Sequence, residues 1–127
     1  MASGCAGGNG DLRQAARSLV PREGRVVAHR PGACVEFASF PSCETLWFSV
    51  RGRSMDERVH RVSTSAQRLG WDATGSDGGD GGTTLHFHKG QFAASVTIWS
   101  SLHDYFCKGH HGSARDCVDN LQVVRRD

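Results

Sequence analysis

The stretch from Ser54 to Trp71, SMDERVHRVSTSAQRLGW, carries the clearest structural signal in the chain. Ser54 and Glu57 have the spacing of a capping box, in which each side chain accepts a hydrogen bond from the other residue's backbone amide. Apolar residues then recur every three or four positions, as on the buried face of a helix. This apolar set is Met55, Val59, Val62, Ala66 and Leu69. The opposite, solvated face is predicted to hold Arg58, Arg61, Ser65 and Arg68. Gly70 suits a left-handed C-terminal position, from which Trp71 folds back onto the last turn.

Two strands joined by a tight turn are predicted downstream of this helix. Residues 83–88 and 91–100 alternate apolar and polar side chains, which is the period of a strand with one buried face. Lys89-Gly90 between them fits a two-residue β-hairpin turn. The segment 72–82 is rich in glycine and aspartate, and it is predicted to be a flexible linker.

A short helix and three strands are predicted upstream. Asp11 can cap a helix whose apolar positions recur at three- and four-residue spacing, and Pro21 ends it. The apolar positions are Leu12, Ala15, Ala16 and Leu19. The predicted strands are 25–29, 34–40 and 45–50, with a last strand near the C-terminus at 121–125.

This order of helices and strands predicts an α+β fold. We expect an antiparallel sheet with one long and one short helix packed on one face, stapled by disulfides. A length of 127 residues fits one domain, so we expect a flexible tether at 1–10 and a single domain at 11–127. No segment has the roughly 20 apolar residues that a membrane-spanning helix needs.

The cysteine spacing favours disulfides over a zinc site. Cys5 stands alone, and the other four cysteines form two pairs separated by nine and ten residues, whereas zinc ligands are typically about two to four residues apart. These four are Cys34, Cys43, Cys107 and Cys117. Each close pair flanks a turn rich in Pro, Gly or Ser, which favours pairing within each pair; the cross-pairings stay open. Such bonds persist outside the reducing cytosol, which predicts an exported protein.

The sequence Ala2-Ser3-Gly4-Cys5, followed by a glycine-rich stretch, resembles the lipobox and tether of bacterial lipoproteins. In that family the cysteine is lipidated and becomes the mature N-terminus. The resemblance therefore implies that Cys5 is a lipid anchor at the outer face of the cell membrane. The signal segment that precedes a lipobox is absent from this sequence. The alternative is a disordered N-terminus with an incidental cysteine.

The order of elements from Trp47 to Ile98 resembles that of small secreted proteins and lipoproteins of GC-rich actinobacteria. It comprises a strand, an amphipathic helix ending in Leu-Gly-Trp, a glycine-rich link and a tight hairpin. Many members of that group have no assigned activity. The likeness covers about half of the chain and implies fold and location rather than activity.

The surface expected to carry function is the polar side of the sheet. Trp47 and Trp99 lie on the polar sides of their strands, and His86 and His88 join them if the strands are neighbours. Exposed tryptophans often anchor a binding partner. The alternative is that the first helix or the Cys107 loop covers this side, so that both tryptophans belong to a second core layer.

We expect a non-catalytic domain that binds a protein or cell-envelope ligand, as a monomer or weak dimer without cofactor or metal. The formal net charge of +2 is too small to predict a nucleic-acid partner. One alternative is a small hydrolase or metal-dependent enzyme that uses His86, His88, His103 and Asp104, although no nucleophile motif accompanies them. Another is a structural envelope component that dimerises through an open sheet edge.

Overall fold

The computed structural model describes residues 9–32, 43–50, 54–78, 81–99 and 118–125. Two helices and six strands lie in these ranges. In chain order they are α1 (Asn9–Ser18), β1 (Arg25–Pro31), β2 (Cys43–Ser49), α2 (Met55–Arg68), β3 (Asp72–Gly78), β4 (Gly82–Lys89), β5 (Phe92–Trp99) and β6 (Asp119–Arg125). The strand predicted at 34–40 lies outside the described residues.

The six strands form one sheet in the order β1-β2-β6-β5-β4-β3, and each neighbouring pair is antiparallel. The β1–β2 pair occupies one edge. Inward from the other edge the strands are β3, β4, β5 and β6, and β6 pairs with β2. Leu46 of β2 thus lies opposite Leu121 of β6, and Val96 of β5 lies opposite the same leucine. The predicted α+β class and antiparallel sheet are confirmed.

Both helices pack on one face of the sheet, as the pattern predicted. The short helix α1 buries Leu12 and Ala16, Leu19 directly after it is also buried, and α2 buries Val62 and Ala66. The sheet contributes the other side of this core: Leu46, Phe48, Leu85, Phe87, Ala94, Val96, Ile98, Leu121 and Val123. These residues occupy alternate positions along their strands, because successive side chains of a strand point to opposite faces.

The start of α2 has the predicted capping box. The Ser54 hydroxyl accepts a hydrogen bond from the Glu57 amide at 3.2 Å, and the Glu57 carboxylate accepts one from the Ser54 amide at 3.3 Å. Two amides that a helix start leaves without intrahelical partners are satisfied in this way. The helix therefore begins where the sequence indicated.

The end of α2 also follows the prediction. Gly70 has a φ of +92°, in the left-handed region that favours glycine. The Trp71 amide donates to the Ala66 carbonyl at 2.9 Å and the Gly70 amide donates to the Gln67 carbonyl at 3.1 Å, which is the Schellman pattern. Trp71 consequently folds back into the core, where its indole N–H donates to the Ser18 hydroxyl at 3.1 Å.

The predicted linker contains a strand instead. Residues 72–78 form β3, which pairs with β4 from Asp72 opposite His88 to Gly78 opposite Thr83. Every residue of β3 is exposed, so this strand has no apolar pattern that could reveal it. An edge strand needs hydrogen bonds to one neighbour only, and here backbone pairing suffices despite a glycine-rich composition of low strand propensity.

Two boundaries differ slightly from the predictions. Lys89 pairs with Phe92, so the hairpin turn is Gly90-Gln91, one residue later than expected. Gly90 has a φ of +60°, which suits glycine at the first position of a type II′ turn. At the N-terminus, α1 begins at Asn9 and includes the last two residues of the predicted tether. Asp11 therefore lies in the first helical turn rather than at the cap.

Two residues of the predicted helix differ in burial from the prediction, one within α2 and one at its C-terminal cap. Arg58 is only 1% exposed, whereas Leu69 is 43% exposed. Arg58 precedes Val62 by four residues and Ala66 by eight, so these three side chains share one face of the helix. Leu69 is the C-terminal cap residue, where the chain leaves the helix. The buried stripe of α2 is therefore centred on Val62 and includes a charged side chain.

Candidate functional site

The four residues predicted to bind a ligand lie on the face of the sheet opposite the helices. In β2, Trp47 lies between Leu46 and Phe48, which belong to the helix-side core. In β5, Trp99 directly follows Ile98 of the same core. His86 and His88 lie on either side of Phe87 in β4. Because side chains alternate along a strand, all four point away from the helices. We call this side of the sheet the outer face.

The structure does not gather these four residues into one cleft. Trp47 belongs to β2, Trp99 to β5 and the two histidines to β4, and β6 lies between β2 and β5. Neighbouring strands are about 4.8 Å apart, so Trp47 and His86 are at least about 14 Å apart, across three strand spacings. A ligand that reaches both must be extended.

A row of polar side chains crosses the outer face from Trp47 to the edge strand β3. Cross-strand pairing aligns Trp47 with Asn120, Asn120 with Thr97, Thr97 with Thr84, and Thr84 with Asp77. The two threonine hydroxyls are hydrogen bonded at 3.1 Å. The first four residues are half-buried and Asp77 is exposed. We call these five residues the polar row. Its side chains comprise an indole, an amide, two hydroxyls and a carboxylate.

The neighbouring part of the outer face is buried. Its buried residues are Cys43, Thr45, Ser95, Gln122 and Val124. All five point away from the helices, so α1 does not cover this region, and the Cys107 loop of the alternative expectation lies outside the described residues. Solvent access to the outer face is therefore greatest along the polar row and at the margins of the sheet.

Trp47 lies beside a cation. The Arg30 guanidinium is 6.0 Å from the centre of the Trp47 ring, at the outer limit of a cation–π interaction. Arg30 is exposed on the edge strand β1. This end of the polar row therefore combines an indole with a positive charge, while the other end carries the Asp77 carboxylate.

Trp99 is held by a buried ion pair that the sequence did not indicate. Arg58 Nη1 donates to both carboxylate oxygens of Asp119, at 2.6 and 2.8 Å, and Arg58 Nη2 donates to the Trp99 carbonyl at 2.6 Å. The Trp99 amide in turn donates to Asp119 Oδ1 at 3.0 Å. These contacts tie α2 to the end of β5 and the start of β6. The four-residue spacing of Arg58 from Val62 places both residues on one face of the helix, and this spacing could have indicated that Arg58 is buried.

The electrostatics of this pair are dominated by its burial. Burial raises the pKa of Asp119 to about 6, although the Arg58 charge and the hydrogen bonds from Arg58 and Trp99 act in the opposite direction. Asp119 is therefore mostly ionised at neutral pH and paired with Arg58. Because both side chains are buried, the pair fixes three elements and presents no charge to a ligand.

The histidines on β4 each face a carboxylate on β3. His86 Nε2 lies 2.9 Å from Asp77 Oδ2, and His88 Nε2 lies 3.9 Å from Asp72 Oδ2. Within the described ranges, no group of three or more His, Cys, Asp or Glu side chains is arranged to hold a metal ion. His103 and Asp104, which the enzymatic alternative requires, lie outside those ranges. The structure thus contains two His–Asp pairs rather than one cluster in the part of the chain that it describes.

Comparison with known proteins finds no match. No protein-family model matches the chain, and no curated protein or solved structure is significantly similar to it. Neither helix in the described part of the chain is long and apolar enough to span a membrane. A functional proposal therefore depends on the geometry and chemistry of the residues themselves.

Proposed function

We propose that this chain is a non-catalytic exported domain that binds a protein or cell-envelope ligand through its outer face. The polar row carries the proposal. Tryptophan supplies a large rigid contact area, and amide and hydroxyl groups supply directional hydrogen bonds. Binding surfaces of proteins commonly combine these two kinds of side chain.

The length of the polar row restricts the shape of the ligand. The row crosses from β2 to β3, which is four strand spacings or about 19 Å. An extended peptide or a short glycan segment matches this length and can meet the row's hydrogen-bonding groups in succession. The Arg30 guanidinium beside Trp47 favours a ligand with a negative group at that end.

Co-sedimentation with isolated cell walls tests this proposal. Trp47→Ala removes the indole from one end of the polar row, and we expect retention to weaken about ten-fold or more, as for an aromatic residue that anchors a partner. Leu69→Ala is the matched control, because Leu69 is an exposed apolar residue of the helix side. Leu69→Ala is expected to bind like the wild type. Equal retention of both variants would contradict a binding role for the polar row.

We further propose that the four paired cysteines form disulfides. Cys43 supports this: it is buried at the start of β2, where it packs against Val124 of β6 and Ala93 of β5. The other three cysteines of the proposed pairs lie outside the described residues. A disulfide that closes a loop of about ten residues contributes roughly 2 to 3 kcal/mol to stability.

Peptide mapping without reduction tests the disulfide proposal. We expect a peptide that joins Cys43 to Cys34 and another that joins Cys107 to Cys117. A linkage between the two pairs would keep the bonds but overturn the preferred connectivity. Four alkylated thiols in native exported protein would overturn the proposal altogether.

We propose a location outside the cytoplasm, with Cys5 as a lipid anchor. The lipobox-like sequence Ala2-Ser3-Gly4-Cys5 supports this proposal. Labelling with radioactive palmitate in the natural host provides the test. Cys5→Ser is expected to abolish the label, whereas Ser3→Ala keeps a small residue before the cysteine and is expected to retain it. An unlabelled wild-type protein would exclude the anchor.

A further inference from the structure

A second candidate site is a groove on the helix side of the molecule, apart from the outer face. It lies between α2 and the turn that follows α1, and it has a volume of about 390 Å³. The residues that give it its chemistry are Arg22, Glu23, Arg61, Thr64, Ser65 and Arg68. We call it the arginine groove.

The arginine groove concentrates positive charge. Glu23 forms an ion pair with Arg61. Arg22 and Arg68 are exposed, and neither forms an ion pair with any residue that the structure describes. Three arginines and one glutamate give the groove a formal charge of +2 with His60 neutral, which equals the formal charge of the entire chain. Two guanidinium groups in one groove therefore have no carboxylate partner there.

The walls of the groove are built by local structure. Arg61, Ser65 and Arg68 follow one another at four- and three-residue spacing, so they form a stripe along α2. The opposite wall is a tight turn in which the Gly24 amide donates to the Pro21 carbonyl at 2.8 Å. A Cβ at Gly24 would lie 2.9 Å from Val20 Cγ1, so this tight turn favours glycine. The Glu23–Arg61 ion pair then joins the turn to the helix.

We infer that the arginine groove binds a phosphate-bearing ligand. A guanidinium group donates two parallel hydrogen bonds to an oxyanion, and phosphate offers more acceptor oxygens than a carboxylate does. The hydroxyls of Thr64 and Ser65 add neutral donors beside Arg22 and Arg68. The volume falls within the range of small-molecule sites, roughly 300 to 1,000 Å³. A phosphorylated small molecule and a phospholipid headgroup share this chemistry.

Calorimetric titration of the full chain with inorganic pyrophosphate tests the inference. We expect one saturable site with a Kd below about 1 mM. The double variant R22Q/R68Q is expected to bind at least about ten-fold more weakly. The double variant R13Q/R17Q is the matched control, because it removes the same charge from exposed positions of α1 outside the groove. The control is expected to bind within about two-fold of the wild type, since long-range charge effects are screened by salt.

Two results would overturn the inference. One is the absence of saturable binding to the wild-type chain. The other is an equal loss of affinity in both double variants, which would mean that net charge rather than the groove attracts pyrophosphate. We expect both double variants to fold, because all four substituted side chains are exposed, and circular dichroism checks this.

A vesicle experiment separates the two sources of phosphate. Co-sedimentation is measured with phosphatidylcholine vesicles that contain or lack phosphatidylglycerol. Binding that requires phosphatidylglycerol and is lost in R22Q/R68Q assigns the groove to a lipid headgroup. Pyrophosphate binding without vesicle binding assigns it to a soluble phosphorylated ligand.

Discussion

Asp119 allows a quantitative test of how burial and pairing compete in this fold. Its side chain is 0% exposed, and its pKa is raised from 3.8 to about 6, chiefly by burial. The folded state therefore holds the proton more tightly than the unfolded state. By linkage, the contribution of Asp119 to stability is fully present below pH 3.8 and is lost as the pH rises through 6.

The size of the effect follows from the two pKa values. A difference of one pKa unit corresponds to about 1.4 kcal/mol, so a rise from 3.8 to about 6 amounts to about 3 kcal/mol. We expect the stability of the wild type relative to Asp119→Asn to fall by about this amount between roughly pH 3.5 and pH 7. The amide of Asp119→Asn does not titrate. Because it cannot neutralise buried Arg58, it also lowers the free energy of unfolding by an amount that does not depend on pH in this range.

Urea unfolding of both proteins, followed by circular dichroism at several pH values, measures this difference. Asp56→Asn is the control, because it removes an exposed carboxylate from the first turn of α2; we expect no comparable pH-dependent difference. A wild-type advantage that stays constant or grows as the pH rises would refute the reasoning, because pairing with Arg58 would then outweigh burial. If Asp119→Asn does not fold, NMR titration of the wild-type Asp119 carboxyl carbon decides the question, with a pKa at or below the ordinary 3.8 as the refuting result.

Two further substitutions probe the fold by urea unfolding. Gly82→Ala is expected to destabilise the protein by about 2 kcal/mol or more, because a Cβ there would overlap the Ile98 carbonyl oxygen. Gly78→Ala, where the added Cβ meets nothing within 4 Å, is its control, and equal effects would contradict the steric explanation. Ser54→Ala is expected to cost about 1 kcal/mol through loss of the capping box; unchanged stability would show that water replaces the hydroxyl without cost.

The elements with local signals were predicted well. The capping box and Gly70 set the two ends of α2, and alternation identified the core faces of β4 and β5. The prediction failed at β3, because a fully exposed edge strand has no buried side chains to create a pattern. It also failed at Arg58, since a charged residue on a helix is expected to face solvent unless a partner is known. That partner, Asp119, lies 61 residues away in the sequence.

The candidate site was predictable only in part. Alternation along the strands indicated which sides of β2, β4 and β5 carry Trp47, His86 and Trp99. The order of the strands was not predicted. In that order β6 lies between β2 and β5, so Trp47 and His86 are three strand spacings apart. Asn120 and Thr97 became members of the polar row solely through pairing between distant strands.

The sequence by itself determined the two helices, most of the strands and the faces they bury, because helix and strand periodicities are properties of neighbouring residues. Tertiary structure decided which strands are adjacent, how Arg58 is neutralised inside the protein and how the turn after α1 meets α2 to form the arginine groove. These features join residues that are far apart in the chain, and they depend on the hydrogen bonds and packing between elements rather than on any local pattern.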